Sequence, residues 1–252
     1  MTDPTEPLRY SVEQLRSIIE PLSSEQLTSS AYPSEWTIAD VLSHLGSGAV
    51  IFIQSVDSAV SGEATPTDFN QSVWDEWNAK SPEKQWADLP GVDAAVIERL
   101  SALSPEERAQ LKVSLGPFEL DYDGFAGLRL SEHALHTWDV DVALNPDAVL
   151  PPEVVDALLE VLGLVGRFAA KPTGATRTYV VRTKEPTMTY RIELDPESVS
   201  LNEGGEGETS DVLLPSEAFV RLVYGRLDPE HTPAGVEGVE HLAALREVFP
   251  GF

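Results

Sequence analysis

The sequence predicts an α+β protein of two domains, with a helical N-terminal part and a smaller mixed C-terminal part. Up to about residue 145, apolar residues recur at helical spacing, and beyond it short segments alternate as strands do. Asn145-Pro146 and Pro151-Pro152 separate the two patterns, and prolines at such points end one element or begin another. We therefore expect domains at 1–147 and 148–252.

The first two helices are predicted from their apolar residues. Leu15, Ile18 and Ile19 indicate a first helix, for which Ser11 or a neighbour is the expected cap. The second helix has a clearer start, with Thr37 as its expected cap. Its apolar positions keep helical spacing for about six turns: Ile38, Val41, Leu42, Leu45, Ala49, Phe52, Ile53, Val56 and Val60.

The rest of the first domain is also predicted to be mostly helical. A linker around Gly62 leads to a helix over about 82–103. A small hairpin is expected to turn at Gly116-Pro117. The last helix of this half is predicted over 122–144, directly before the proline boundary.

The second domain is predicted to combine helices with a small sheet. A helix is expected over 152–170, another from Pro215 to Gly225, and a last one over 241–248. A polar, glycine-rich turn is expected over 204–208. Alternating segments predict strands at 177–182, 189–194, 199–201 and 212–214.

The composition excludes several classes of function. A net charge of −25 would repel phosphate backbones and anionic membrane surfaces, so we expect neither nucleic-acid nor membrane partners. The chain has no cysteine, which excludes disulfides, thiolate metal ligands and a cysteine nucleophile. Any thiol chemistry would therefore need a small-molecule thiol.

The sequence also predicts a cytoplasmic location. The first seven residues have neither a basic start nor an apolar core, so they do not form a signal peptide. The apolar stretch at 154–170 contains Asp156, Glu160 and Arg167, and such a segment is not expected to span a bilayer.

Two separated helices carry residues that suit a metal ion. Glu132 and His136 are four residues apart, so they share one face of the last helix of the first domain. His44, on the second helix, would complete a set of three ligands with one position open, which is typical of catalytic metal sites. We expect Asp40 to orient the second nitrogen of His44, and Gly48 to leave room beside it.

Two alternatives remain open for this helix. Arg129 could pair with Glu132 or Asp139, leaving His136 as an ordinary core residue. A second possibility is that His133 acts as a ligand with His136. On a helical wheel, however, His133 falls on the opposite, wetter side together with Thr137 and Asp141.

The two motifs together carry a family resemblance. The first runs from Trp36 through Asp40 to His44, and the second holds Arg129, Glu132, His136 and Asp139. This pattern resembles the mycothiol-dependent maleylpyruvate isomerase family, a part of the DinB-like metal-binding superfamily. The resemblance implies a DinB-like four-helix bundle followed by a sterol-carrier-like α+β domain.

The resemblance also implies a site. It places a divalent metal ion, with zinc expected, on His44, Glu132 and His136. It makes mycothiol, a small-molecule thiol of certain bacteria, the co-substrate. Gly225-Arg226 resembles the position where the family has an arginine important for activity, so Arg226 is expected to contact the thiol or the substrate.

We accordingly expect a metal-assisted S-transferase that joins mycothiol to an electrophile. The first alternative is a mycothiol-dependent cis–trans isomerase of the maleylpyruvate type. A second is a non-catalytic protein that holds a hydrophobic ligand in its second domain. A third is a hydrolase that uses metal-bound water.

Overall fold

The computed structural model describes residues 3–205 and 207–251. The chain divides into two compact units, Met1–Ala148 and Val149–Phe252. The first is helical apart from one hairpin, and the second combines helices with a four-stranded sheet, which confirms the α+β class. The turn predicted over 204–208 includes residue 206, which lies outside the described residues.

Four long helices form most of the first unit, and we label its elements in chain order. The most extensive contacts among these four run in the cycle α1, α5, α3, α7. The elements are α1 (Thr5–Ile19), α2 (Ser24–Leu27), α3 (Ile38–Ser61), α4 (Phe69–Asn78), α5 (Pro82–Ser101), α6 (Pro105–Gln110), β1 (Val113–Leu115), β2 (Phe118–Leu120) and α7 (Tyr122–Leu144).

The start of α3 is fixed by a reciprocal capping box. The Asp40 backbone N–H donates to the Thr37 hydroxyl at 3.1 Å, and the Thr37 backbone N–H donates to the Asp40 carboxylate at 2.9 Å. The helix ends at Gly62, whose φ of 75° is the left-handed conformation that glycine adopts without strain. The predicted cap at Thr37 is therefore confirmed.

The prediction for the first helix was wrong at its start. Helix α1 begins at Thr5, directly after Pro4, and Ser11 lies inside it. Ser11 is fully buried, and its hydroxyl contacts Nδ1 of His133 at 2.8 Å. A serine in a helix interior is tolerated here because its side chain has a tertiary partner.

Helices α3 and α7 are largely buried within the unit. Among the described residues, α3 alone has the length and apolar character that could cross a membrane, but 56% of its most apolar window is buried by the protein itself. Helix α7 is buried on nearly all of its sides. The amphipathic pattern expected of a surface helix is therefore weak in α7.

The second unit packs helices on a four-stranded sheet of order β5-β4-β3-β6. All pairs are antiparallel except β3 with β6. Helix α8 lies so close to β5 that a Cβ at Gly166 would be 3.1 Å from the Leu201 side chain. The elements are α8 (Pro152–Ala169), β3 (Arg177–Lys184), β4 (Thr189–Asp195), β5 (Ser198–Glu203), β6 (Val212–Pro215), α9 (Ser216–Val223), a 3₁₀ turn (Val239–His241) and α10 (Leu242–Val248).

Candidate metal centre

Three predicted ligand residues meet between α3 and α7. Nε2 of His44 lies 3.1 Å from Oε2 of Glu132, and Nε2 of His136 lies 3.6 Å from the same oxygen. One ligand atom from each residue lies within 4.8 Å of the other two. The side chains of His44 and Glu132 are 39% and 49% exposed, so solvent and small molecules reach the cluster.

Two imidazole nitrogens and one carboxylate oxygen form a donor set suited to zinc and similar divalent ions. Three protein ligands leave a coordination position for water or substrate. The structure thus brings His44, Glu132 and His136 together in an arrangement that fits a metal ion. Their role as ligands remains a prediction.

Asp139 orients one of the histidines. Nδ1 of His136 donates to Oδ2 of Asp139 at 2.8 Å, and Asp139 is completely buried. Because an ionised carboxylate only accepts hydrogen bonds, the proton of the neutral imidazole lies on Nδ1. The lone pair of Nε2 is then available on the side of Glu132, as a metal ligand requires.

The expected role of Asp40 was wrong. The Asp40 carboxylate accepts hydrogen bonds from the backbone and hydroxyl of Thr37, at 2.9 and 2.7 Å, and so completes the α3 cap. The sequence held a signal for this, because a threonine followed three residues later by an acidic residue is a capping-box pattern.

Trp36 forms an aromatic wall at the site. Its ring is stacked on the His136 imidazole, with centroids 5.9 Å apart and planes at 17°, and lies 5.2 Å from the His44 ring. The two imidazoles also contact each other edge to face, at 4.7 Å. In the sequence Trp36 stands out only as part of a motif, and no local signal shows this contact.

The expected partners of Arg129 were also wrong. Its Nη2 donates to Oδ1 of Asp93, on α5, at 3.0 Å and to the Leu45 carbonyl, on α3, at 3.2 Å. Arg129 and Asp93 are both buried. Burial lowers the pKa of Arg129, while the negative charges of Asp93 and then Glu132 act to raise it.

His133 lies on a buried side of α7, contrary to the wheel. It is completely inaccessible, and its Nε2 lies 3.3 Å from Oδ2 of Asp93. Its Nδ1 contacts the Ser11 hydroxyl at 2.8 Å and the Thr137 hydroxyl at 3.3 Å. Thr137 is buried as well, whereas Asp141 is half-buried. His133 therefore belongs to a polar network of the core.

Arg226 lies in the second unit, just past the end of α9. Gly225 has a φ of 71°, and the Arg226 backbone N–H donates to the Arg221 carbonyl at 2.7 Å. Nη1 of Arg226 donates to the Tyr224 carbonyl at 3.0 Å. These bonds satisfy carbonyls at a helix end. A contact of Arg226 with thiol or substrate remains a prediction.

Comparison with known proteins places this site in a family. The family model described as "Mycothiol maleylpyruvate isomerase N-terminal domain" matches residues 8–141, more than half of the chain. This range contains His44, Glu132 and His136. A comparison with functionally curated proteins found no match.

Two solved structures are similar in fold. They are crystal structures of the mycothiol-dependent maleylpyruvate isomerase and of a histidine-to-alanine mutant of it. The identities are 14% and 13%, and both comparisons have a TM-score of 0.65 over 88% of each chain. By the match over its first unit, the chain belongs to the mycothiol maleylpyruvate isomerase N-terminal domain family.

Proposed function

We propose that the protein is a mycothiol-dependent, metal-assisted cis–trans isomerase. The observation that carries this proposal is the convergence of His44, Glu132 and His136 within 4.8 Å, in a chain whose first unit belongs to an isomerase family. From the sequence, S-conjugation of mycothiol is expected ahead of isomerisation. Family membership favours the isomerase, and S-transfer becomes the second candidate.

The residues fit a divalent ion, with zinc as the expected species. His44 and His136 would supply nitrogens, and Glu132 a carboxylate oxygen. Such an ion would lower the pKa of a thiol bound beside it, so that the reactive thiolate forms near neutral pH. The His136–Asp139 hydrogen bond keeps the ligand nitrogen of His136 free of its proton.

The surrounding residues would control access to the thiol. Trp36 covers one side of His136 with an apolar surface and so limits the water that reaches the site from there. Glu132 is half exposed and marks the open side. We infer that mycothiol and the substrate enter past Glu132.

A thiol suits isomerisation because it can be returned unchanged. Addition of a thiolate to one carbon of a conjugated cis double bond leaves a single bond between the two carbons. Rotation about that bond, followed by loss of the thiolate, gives the trans isomer. The C–S bond that forms is the one that breaks, and no oxidant or reductant is consumed. Release of the adduct before elimination would instead be S-transfer.

The proposal is tested by incubating the zinc-loaded protein with maleylpyruvate, with and without mycothiol. Isomerisation is followed by absorbance, and mycothiol adducts by mass spectrometry. We expect trans product without accumulated adduct, only when mycothiol is present. His44→Ala should lose this activity, whereas His241→Ala, a partly exposed histidine of the second unit, is the matched control and should keep it.

The other outcomes separate the alternatives. A stable mycothiol adduct as the end product would assign S-transfer. Hydrolysis of ester substrates by the zinc-loaded protein without thiol would assign the hydrolase. Binding of a hydrophobic ligand with no turnover under any condition would favour the non-catalytic reading.

A further inference from the structure

The seam between α3 and α7 is layered along the two helices. The first layer holds the cluster of His44, Glu132 and His136. One turn further along α3, and one turn back along α7, Gly48 faces Arg129. The next layer is closed by Phe52 and Phe125, whose rings stack with centroids 4.5 Å apart. The glycine layer therefore lies between the metal cluster and an aromatic closure.

The space beside Gly48 is bordered by the Arg129 side chain. A Cβ built on this residue would meet only one heavy atom within 4 Å among the described residues, Nη1 of Arg129 at 3.3 Å. Gly48 is partly exposed, although Ser47 and Ala49 on either side of it are buried. The missing side chain thus leaves a partly exposed gap between the α3 backbone and Nη1 of Arg129.

Across the described residues, Arg129 has hydrogen-bond donors beside this gap that are not used. Nη2 donates hydrogen bonds to Asp93 and to the Leu45 carbonyl. Within the described part of the chain, Nη1 has no acceptor, and the buried Nε has none either. Because the Arg129 side chain is only 4% exposed, such donors are weakly solvated and gain strongly from an anionic partner.

We propose that Gly48 and Nη1 of Arg129 form an anchor for a carboxylate of the substrate. This inference rests on the proposed function and assigns residues of this chain to hold the carboxylate of such a substrate. Gly48 is four residues from His44, a rise of about 6 Å along the helix. A short-chain unsaturated acid spans such a separation.

The local charges favour this arrangement. Asp93 carries the charge opposite to that of Arg129 and accepts a hydrogen bond from its Nη2. This bond fixes the orientation of the planar guanidinium group and leaves Nη1 facing the gap beside Gly48. A divalent ion at the cluster would offset the carboxylates of Glu132 and Asp139, so these two groups would repel an incoming substrate carboxylate only weakly.

The anchor is tested by filling the space without removing Arg129. Gly48→Ala places a methyl group beside Nη1, and alanine favours the helix over glycine, so the variant is expected to fold. Gly91→Ala is the matched control, because Gly91 also lies in a helix but a Cβ there meets nothing within 4 Å. The probes are maleate and its uncharged analogue dimethyl maleate, each with the zinc-loaded protein.

We expect the Kd of maleate, measured by calorimetry, to rise at least tenfold in Gly48→Ala and less than twofold in Gly91→Ala. Arg129→Lys, which keeps the charge but loses the fork, should also weaken maleate binding. Dimethyl maleate, which has no carboxylate, is the uncharged control: any change in its turnover with mycothiol in Gly48→Ala should be smaller than the change in maleate affinity, and Gly91→Ala should keep the wild-type turnover. Equal maleate affinity in the wild type and Gly48→Ala, or no maleate binding to the wild type, would overturn the anchor.

The anchor and the isomerase can fail separately. If dimethyl maleate is isomerised with mycothiol but the Kd of maleate is the same in the wild type and in Gly48→Ala, the isomerase proposal is supported and the anchor is wrong. If neither compound is isomerised but maleate binding still depends on Gly48, the anchor stands and the isomerase is wrong.

Discussion

Asp139 and His136 are joined by a 2.8 Å hydrogen bond on one turn of α7, and this bond sets which imidazole nitrogen can face Glu132. The Asp139 carboxylate is completely buried, so its orientation is held by the packing around it. A carboxylate in this position also makes the imidazole a stronger ligand. Asp139 therefore orients a histidine predicted to be a ligand, the role expected of Asp40 from the sequence.

Replacing Asp139 should weaken metal binding without removing a ligand. We expect Asp139→Asn to lower zinc affinity by roughly 10- to 100-fold, because the charged partner of the histidine is lost. Competition with a chromophoric chelator measures the affinity. Asp141→Asn, on the same helix but half-buried, is the matched control and should bind zinc as the wild type does. Equal losses in both variants would contradict the role of Asp139.

The two neighbouring residues Glu132 and His133 should separate metal binding from stability. Glu132→Ala and His44→Ala are expected to lose most bound zinc, as measured by elemental analysis, because each removes one of three ligands. His133→Ala should retain zinc but lower the free energy of unfolding in urea by about 1–3 kcal/mol, since it leaves buried polar partners unsatisfied.

The opposite pattern would move the ligand role to His133. That result would be zinc loss in His133→Ala together with normal zinc content in both His44→Ala and Glu132→Ala. The structure argues against it, because both ring nitrogens of His133 are engaged inside the core.

Arg226 should affect the thiol rather than the metal. We expect Arg226→Ala to raise the KM for mycothiol or lower kcat by about tenfold, with zinc content unchanged. Arg226→Lys keeps the positive charge and is expected to recover part of the loss. If thermal unfolding shifts equally in both variants while the kinetics stay normal, Arg226 only closes the end of α9 through the Tyr224 carbonyl.

Asp3 should make the first unit sensitive to acid. Burial acts to raise the pKa of Asp3, but hydrogen bonds from Thr5 and Arg108 outweigh it and lower the pKa from 3.8 to about 2. A depressed pKa adds stability above pH 4 that is lost as the pH falls from about 4 towards 2. Urea unfolding of Asp3→Asn should therefore depend less on pH in that window than unfolding of the wild type. Equal slopes would refute this coupling.

The sequence predicted elements best where local chemistry decides them. Helix α3 is bounded by a threonine cap and a glycine, and α7 follows directly after a capping aspartate, Asp121. His44, Glu132 and His136 could be proposed because their spacing and flanking motifs are local signals. The convergence of the two helices at that point needed the structure.

The errors on His133 and Arg129 concern partners that are distant in the chain. The helical wheel predicts that one side of α7 faces solvent. In the structure, Ser11 of α1 and Asp93 of α5 lie against that side and contact both ring nitrogens of His133. Ser11 is 122 residues from His133 in the chain, and no local pattern shows that separation. The same reason explains why Arg129 was paired with its own helix instead of with Asp93.

The distance along the chain between His44 and Glu132, 88 residues, has a consequence for folding. In the unfolded chain only Glu132 and His136 are near neighbours, and bringing His44 to them requires closing a long loop. An ion held by all three would bind the native chain far more tightly than the unfolded one. Zinc supply would then raise the thermal midpoint of the first unit, and the amount of folded protein would follow the free metal concentration.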